Sequence, residues 1–185
     1  MVRRNRELVI LVGMQGAGKT YYCEKFLADY ERISQDEGPR TYAGVLKRLE
    51  RLLEGAPRIV IDRTNPLLEQ RSKFAEMARA VGYYLKIIYF DIPEEVCRER
   101  IRNRTGHPTL ARDRMEEAIA NYQSRLEIPR AEECDELENY VLLWSLRGGA
   151  WTRPEPWRQH PEGFGRTFTG ETEERLRRIN LLRER

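Results

Sequence analysis

The segment Gly13-Met14-Gln15-Gly16-Ala17-Gly18-Lys19-Thr20 carries the spacing GxxxxGK[ST]. Glycines let successive backbone amides curl around phosphate oxygens, the lysine reaches the outer phosphates, and the hydroxyl that follows can ligate magnesium. The spacing predicts that Gly13, Met14, Gln15, Gly16, Ala17, Gly18, Lys19 and Thr20 hold the phosphates of ATP or another nucleoside triphosphate. Mg2+, or Mn2+ in its place, would be ligated by Thr20, with Asp36 or Asp62 entering through water. Asp62 ends the apolar run Arg58-Ile59-Val60-Ile61 and is the natural second acid of such a site. It either orients metal-bound water, anchors a neighbouring side chain, or caps the helix that follows. Phosphoryl transfer to an alcohol needs a base, and Asp36 is the best-placed carboxylate, with Glu37 beside it as the alternative. Arg40 either holds a phosphate on the acceptor or covers surface, so Asp36, Arg40 and Asp62 form the candidate acceptor side. Arg104 falls almost on the apolar stripe of Cys97 and Ile101, and an arginine there calls for an anion. Arg100 lies one turn earlier, so both arginines are expected to reach the transferring phosphoryl group, with Thr105 to Arg114 as a lid. Arg98 and Arg102 are expected to point into solvent.

These residues need a scaffold that brings them to one edge. Glu7 to Val12, Arg58 to Asp62 and Tyr84 to Phe90 are apolar without alternation, the pattern of parallel strands covered on both faces. The phosphate loop opens a helix expected to bury Cys23, Phe26, Leu27 and Tyr30. A short extended piece around Arg32-Ile33-Ser34 follows, then a helix bearing Val45, Leu46, Leu49, Leu52 and Leu53. Leu67 to Val81 is expected to bury Phe74, Met77, Ala78 and Val81, with Gly82 as its stop. Ile92-Pro93 opens a helix to about Arg104, Met115 to Leu126 forms the next, and Tyr140 to Leu146 is the expected last strand. Alternation of strands and helices predicts an α/β doubly wound parallel sheet of about five strands with helices on both faces. In such a sheet ligands gather at the carboxyl ends of the strands.

A chain of 185 residues, 40% hydrophobic, suits one domain, with a core of about 6–146 and an appendage at 147–185. The appendage is expected to pack through Trp151, Trp157 and Phe164 and to contain a helix from Glu171 to Arg185. The formal charge of +3 does not by itself announce a nucleic-acid partner. Three widely spaced cysteines argue against a disulfide framework or zinc site, and fit a reducing cytoplasm. No apolar run approaches the roughly 20 residues of a membrane span. The base-reading motif NKxD is absent, which counts against a GTPase.

The ordered set GMQGAGKT, ISQDEGPR, IVIDRTNP, YFDIP and RERIRNRTG resembles the kinase module of the 5'-hydroxyl polynucleotide kinases, between about Leu8 and Pro129. The most specific part of the resemblance is Asp-x-Thr-Asn at Asp62 to Asn65. It implies a P-loop (Walker A) kinase that transfers the ATP γ-phosphate to the 5'-OH end of single-stranded RNA or DNA. It implies Lys19 and Thr20 in the phosphate loop, Asp36 as general base, Asp62 as a site-organising acid, and Arg104 with Arg100 as lid arginines. The chain has neither a DxDxT phosphatase nor a KxDG ligase signature, so an RNA-repair or DNA-repair role would require separate phosphatase and ligase partners. The alternative is a P-loop kinase acting on a hydroxyl of a small molecule such as a sugar, nucleoside or antibiotic. A third reading is a nucleotide-dependent switch without productive transfer.

Overall fold

Strand β1 (Glu7–Gly13) is buried on both faces, because Leu8, Ile10 and Val12 point one way while Val9 and Leu11 point the other, all apolar. In the computed structural model, which describes residues 6–34, 38, 41–103, 114–140, 145–147 and 150–152, β1 is the central strand. It pairs in parallel with β3 (Arg58–Asp62) on one side and β4 (Tyr84–Phe90) on the other. Beyond β3 lies β2 (Glu31–Ser34), and beyond β4 lies β5 (Glu136–Tyr140), giving the order β2-β3-β1-β4-β5, parallel throughout.

Helices α1 (Lys19–Phe26), α2 (Tyr42–Leu53), α3 (Leu68–Ala80), α4 (Glu94–Arg102) and α5 (Met115–Arg125) connect the strands. Val45, Leu49 and Leu53 recur at helical spacing on α2 and join Phe74, Ala75 and Ala78 of α3 against the Leu8, Ile10, Ile59, Ile61 and Ile87 face of the sheet. Each such large side chain contributes about 2 kcal/mol on leaving water. Thr41 starts α2 by accepting a hydrogen bond from Gly44 N at 3.1 Å. Thus the doubly wound parallel sheet of five strands expected from the alternating pattern is the fold.

Several local expectations differ. The last strand of the sheet is Glu136–Tyr140, not Tyr140 to Leu146, because Glu136 and Glu138 reach across to Lys86 of β4 and compensate for the strand's weak apolar pattern. Ser145–Arg147 instead pairs antiparallel with Ala150–Thr152, as β6 and β7. Helix α1 is short, so Cys23 is buried while Phe26, at its last turn, is exposed. Val81 is likewise exposed, since α3 ends before it and Gly82, at φ +77°, turns the chain. The chain divides into two units, Met1–Leu142 and Leu143–Arg185. The expected helix Glu171 to Arg185, and packing through Trp151, Trp157 and Phe164, concern residues or side chains outside those described.

Candidate active site

The phosphate loop leaves β1 at Gly13, whose N–H donates to Thr64 O at 3.1 Å, and enters α1 at Lys19. Two glycines make this turn possible. Gly16 has φ +81°, and a β-carbon there would lie 2.6 Å from Cys97 O of α4; Gly18 caps α1 at φ +100°. The loop is therefore pressed against α4 in a shape that an L side chain would disrupt. Lys19, buried, donates from Nζ to Gly13 O and Met14 O, each at 2.7 Å. Its charge is held at the floor of the loop. Met14 and Ala17 are buried, and the Gln15 Oε1 is buried without a hydrogen-bond partner.

Thr20, on the first turn of α1, donates from Oγ1 to Asp62 Oδ2 at 3.2 Å. The same oxygen accepts from Arg32 Nη2 at 2.6 Å and Nε at 3.0 Å. Asp62 is buried among these groups, and the Cys23 thiol beneath it is pushed up to about 12, first by burial and then by the Asp62 charge. Strand register explains the convergence: Asp62 lies opposite Leu11 of β1 and Ser34 of β2, so loop, acid and the end of β2 share the carboxyl edge. The turn after β3 fixes that edge. Asn65, buried at φ +45°, donates from Nδ2 to Leu11 O at 2.8 Å. Arg71 of α3, fully buried, donates from Nη1 to Asn65 O and Pro66 O and forms a bidentate pair with Glu133 through Nε (2.7 Å) and Nη2 (3.1 Å).

Among the expected site residues, Gly13 to Thr20 and Asp62 come together at one edge. Arg100 joins them: its Nη1 donates to Gly16 O and Ala17 O, both at 3.2 Å, so α4 is tied to the phosphate loop. Asp36, Glu37, Arg40, Arg104 and most of the expected lid lie outside the described residues. Arg102 is exposed as expected, whereas Arg98 pairs with Glu94 and with Glu116 of α5. Arg32 and Arg71 were not anticipated, and Asn65 was singled out only as the end of the Asp62-to-Asn65 motif, with no role of its own. The period of two was the available signal for Arg32, because it shares a strand face with Ser34 at the edge. For Arg71, an arginine on the α3 face that buries Phe74 and Ala75 was the clue.

The donor chemistry fits magnesium. A hydroxyl and a carboxylate stand side by side. Few protein oxygens, completed by phosphates and water, is the pattern of Mg2+ rather than of a closed all-protein cage.

A family profile described as an AAA domain matches residues 8–129, more than half of the chain. The chain is 29% identical over 131 residues to the bifunctional polynucleotide phosphatase/kinase of Schizosaccharomyces pombe, covering 70% of this chain. The aligned stretch is 32% of that relative, so the chain spans about a third of its length. Among solved structures, Kti12 of Chaetomium thermophilum, determined in complex with ADP-AlF3, superposes with a TM-score of 0.55 at 17% identity over 75% of this chain and 90% of that one. A gluconokinase from Sinorhizobium meliloti gives a TM-score of 0.54 at 20% identity over 77% and 86%. With the loop, the strand order and these likenesses in agreement, the chain belongs to this AAA-domain family and has a P-loop kinase fold.

Proposed function

We propose that the chain is a polynucleotide 5'-hydroxyl kinase that transfers the γ-phosphate of ATP to the 5'-OH end of RNA or DNA. The observation that carries this reading is the meeting of Lys19, Thr20 and Asp62 at the edge where β2 ends in register with Asp62. Asp36 follows Ser34, the last residue of β2, by two positions in the chain. A carboxylate so near the end of β2 supports an acceptor base at this edge. The relative named as a polynucleotide phosphatase/kinase supports a nucleic-acid acceptor. The chain spans only about a third of that relative.

Asp36 takes the proton of the acceptor hydroxyl, the freed oxygen bonds to the γ-phosphorus, and the bond to the β–γ bridging oxygen breaks to release ADP. Lys19 holds positive charge at the loop, while Arg104, with Arg100 anchored on the loop carbonyls, supplies charge from the α4 side. Thr20 and Asp62 would hold Mg2+, which when bound neutralises phosphate charge. Among the described residues no helix is long and apolar enough to cross a membrane, and the three buried free thiols suit a reducing cytoplasm.

The test uses γ-labelled ATP, magnesium and a 5'-OH oligonucleotide beside a panel of small hydroxyl compounds. Label is expected on the oligonucleotide, and Asp36→Asn is expected to reduce transfer about 100-fold or more. Label on a small compound alone would replace this reading by a small-molecule kinase, the second reading that the likeness to a gluconokinase favours.

A further inference from the structure

Arg32 lies on the two atoms assigned to the metal. Its Nη2 is 2.6 Å from Asp62 Oδ2 and 3.5 Å from Thr20 Oγ1, and its Nε donates to the same Oδ2 at 3.0 Å. Thr20 Oγ1 donates to that carboxylate oxygen as well, at 3.2 Å. One oxygen of Asp62 therefore receives three hydrogen bonds, and a guanidinium N–H stands beside the lone pairs of the hydroxyl.

Strand register makes this placement firm. Ser34 of β2 lies opposite Asp62 of β3, and Arg32, two residues earlier, shares the strand face of Ser34. The long side chain reaches from that face to Asp62, where the carboxylate is 4% and the Arg32 side chain 19% exposed. The cation is thus carried by a strand and largely withdrawn from water.

A guanidinium keeps its charge at neutral pH and only donates hydrogen bonds. It opposes a divalent cation at Thr20 and Asp62 in two ways. It engages lone pairs that a metal or its water ligands need, and it sets like charge beside them where water screens poorly. Lys19 and Arg100 add positive charge at the same edge, since both hold carbonyls of the phosphate loop. One carboxylate among three cations attracts anions rather than metal ions. A polyphosphate reverses this balance, because it brings several negative charges and the oxygen ligands that Mg2+ takes from nucleotides.

We propose that Arg32 makes the metal site conditional on the nucleotide. Its guanidinium keeps Thr20 and Asp62 from capturing a divalent cation alone, so Mg2+ enters only in company with the phosphates of the donor. Arg32 is then a positioning residue, acting on the ion through Asp62 and Thr20. The proposal rests on the reading of those two residues as the metal site.

Mn2+ serves as the probe, and its binding to the full chain is followed by water-proton relaxation, without nucleotide and with a non-hydrolysable ATP analogue. The wild type is expected to bind Mn2+ about 10-fold or more weakly without the analogue than with it. Arg32→Gln keeps an N–H donor for Asp62 and removes the charge, so nucleotide-free binding is expected to tighten about 10-fold. Arg32→Lys keeps the charge and is expected to stay within about 3-fold of the wild type. Adding Asp62→Asn to Arg32→Gln is expected to abolish the gain, which locates the ion. A purely structural role gives the opposite sign, because a damaged site binds metal less well. Nucleotide-free affinity that is unchanged or weaker in Arg32→Gln overturns the proposal, and so does an equal gain in Arg32→Lys. Arg32→Met, also neutral, decides the same question if the glutamine protein does not fold, with the thermal midpoint reporting on folding. Equal affinity of the wild type with and without the analogue overturns the proposal as well. Failure of Mn2+ to bind even with the analogue sinks the metal-site reading and the proposal together, whereas binding with the analogue and no gain in Arg32→Gln sinks the proposal alone.

Discussion

Asp62 accepts three hydrogen bonds on a single oxygen, two from Arg32 and one from Thr20. With side-chain exposures of 19% for Arg32 and 4% for Asp62, the pair is largely out of water. Breaking it from one side leaves a buried carboxylate alone, which costs about 3–5 kcal/mol. Arg32→Ala is thus expected to lower stability in urea by that amount, while Arg32→Ala combined with Asp62→Asn loses less than the sum of the single changes. Additivity to within about 0.5 kcal/mol would show that the two residues act independently. Thr20 adds a functional link, because the acid that Arg32 holds is the one that meets the candidate magnesium ligand. Stability and site geometry share these atoms.

The turn after β3 does at the level of elements what Arg32 does at the level of one side chain. Gly13 N donates to Thr64 O, and Asn65 Nδ2 to Leu11 O, so one turn fixes the point where β1 becomes the phosphate loop. Asn65 also holds φ +45°, a conformation that costs most residues with a β-carbon about 1 kcal/mol or more. Asn65→Ala loses a buried hydrogen bond, about 1–3 kcal/mol, and keeps the strain. Asn65→Gly loses the same bond but relieves the backbone. The glycine variant is therefore expected to be more stable than the alanine variant by about 1 kcal/mol in chemical denaturation, with nucleotide binding weakened in both. If alanine proves the better tolerated, the turn is not held in that conformation in solution. Arg71 donates to the carbonyls of Asn65 and Pro66 and pairs with Glu133, on the approach to β5, so the turn is tied to the next strand of the sheet.

Across the first unit the three thiols record how tightly the layers close. Cys97 is fully buried between α4 and the phosphate loop, and burial raises its thiol from 9.0 to about 11. Because the folded state favours the neutral thiol, this contribution is present in full below about pH 9 and is lost as pH rises through about 11. The wild type should lose about 1 kcal/mol more per pH unit than Cys97→Ala between these values, measured by urea denaturation at each pH. Parallel slopes would place the thiol in contact with water. The same closure makes Gly16 obligatory, since the carbonyl of Cys97 occupies the space its side chain would need.

The phosphate loop was legible in the sequence because its shape is set by backbone sterics within a few residues: glycines at fixed offsets, then a lysine and a threonine. The strands Arg58–Asp62 and Tyr84–Phe90 were legible for a related reason, since a strand covered on both faces must be apolar without a break. Nothing local announced that Arg32 would meet an acid 30 residues away, that Asn65 would reach a carbonyl 54 residues before it, or that Arg71 would pair 62 residues ahead. Those contacts exist only once β3 has been inserted between β2 and β1 and the approach to β5 has crossed behind α3. The strand at Glu136–Tyr140 escaped notice because its pairing draws on charged partners across the sheet rather than on its own apolar pattern. The sequence by itself thus determined the phosphate-binding chemistry and the class of sheet. Tertiary structure decided which side chains hold that chemistry in place, because ion pairs and buried hydrogen bonds follow strand order and packing rather than proximity along the chain.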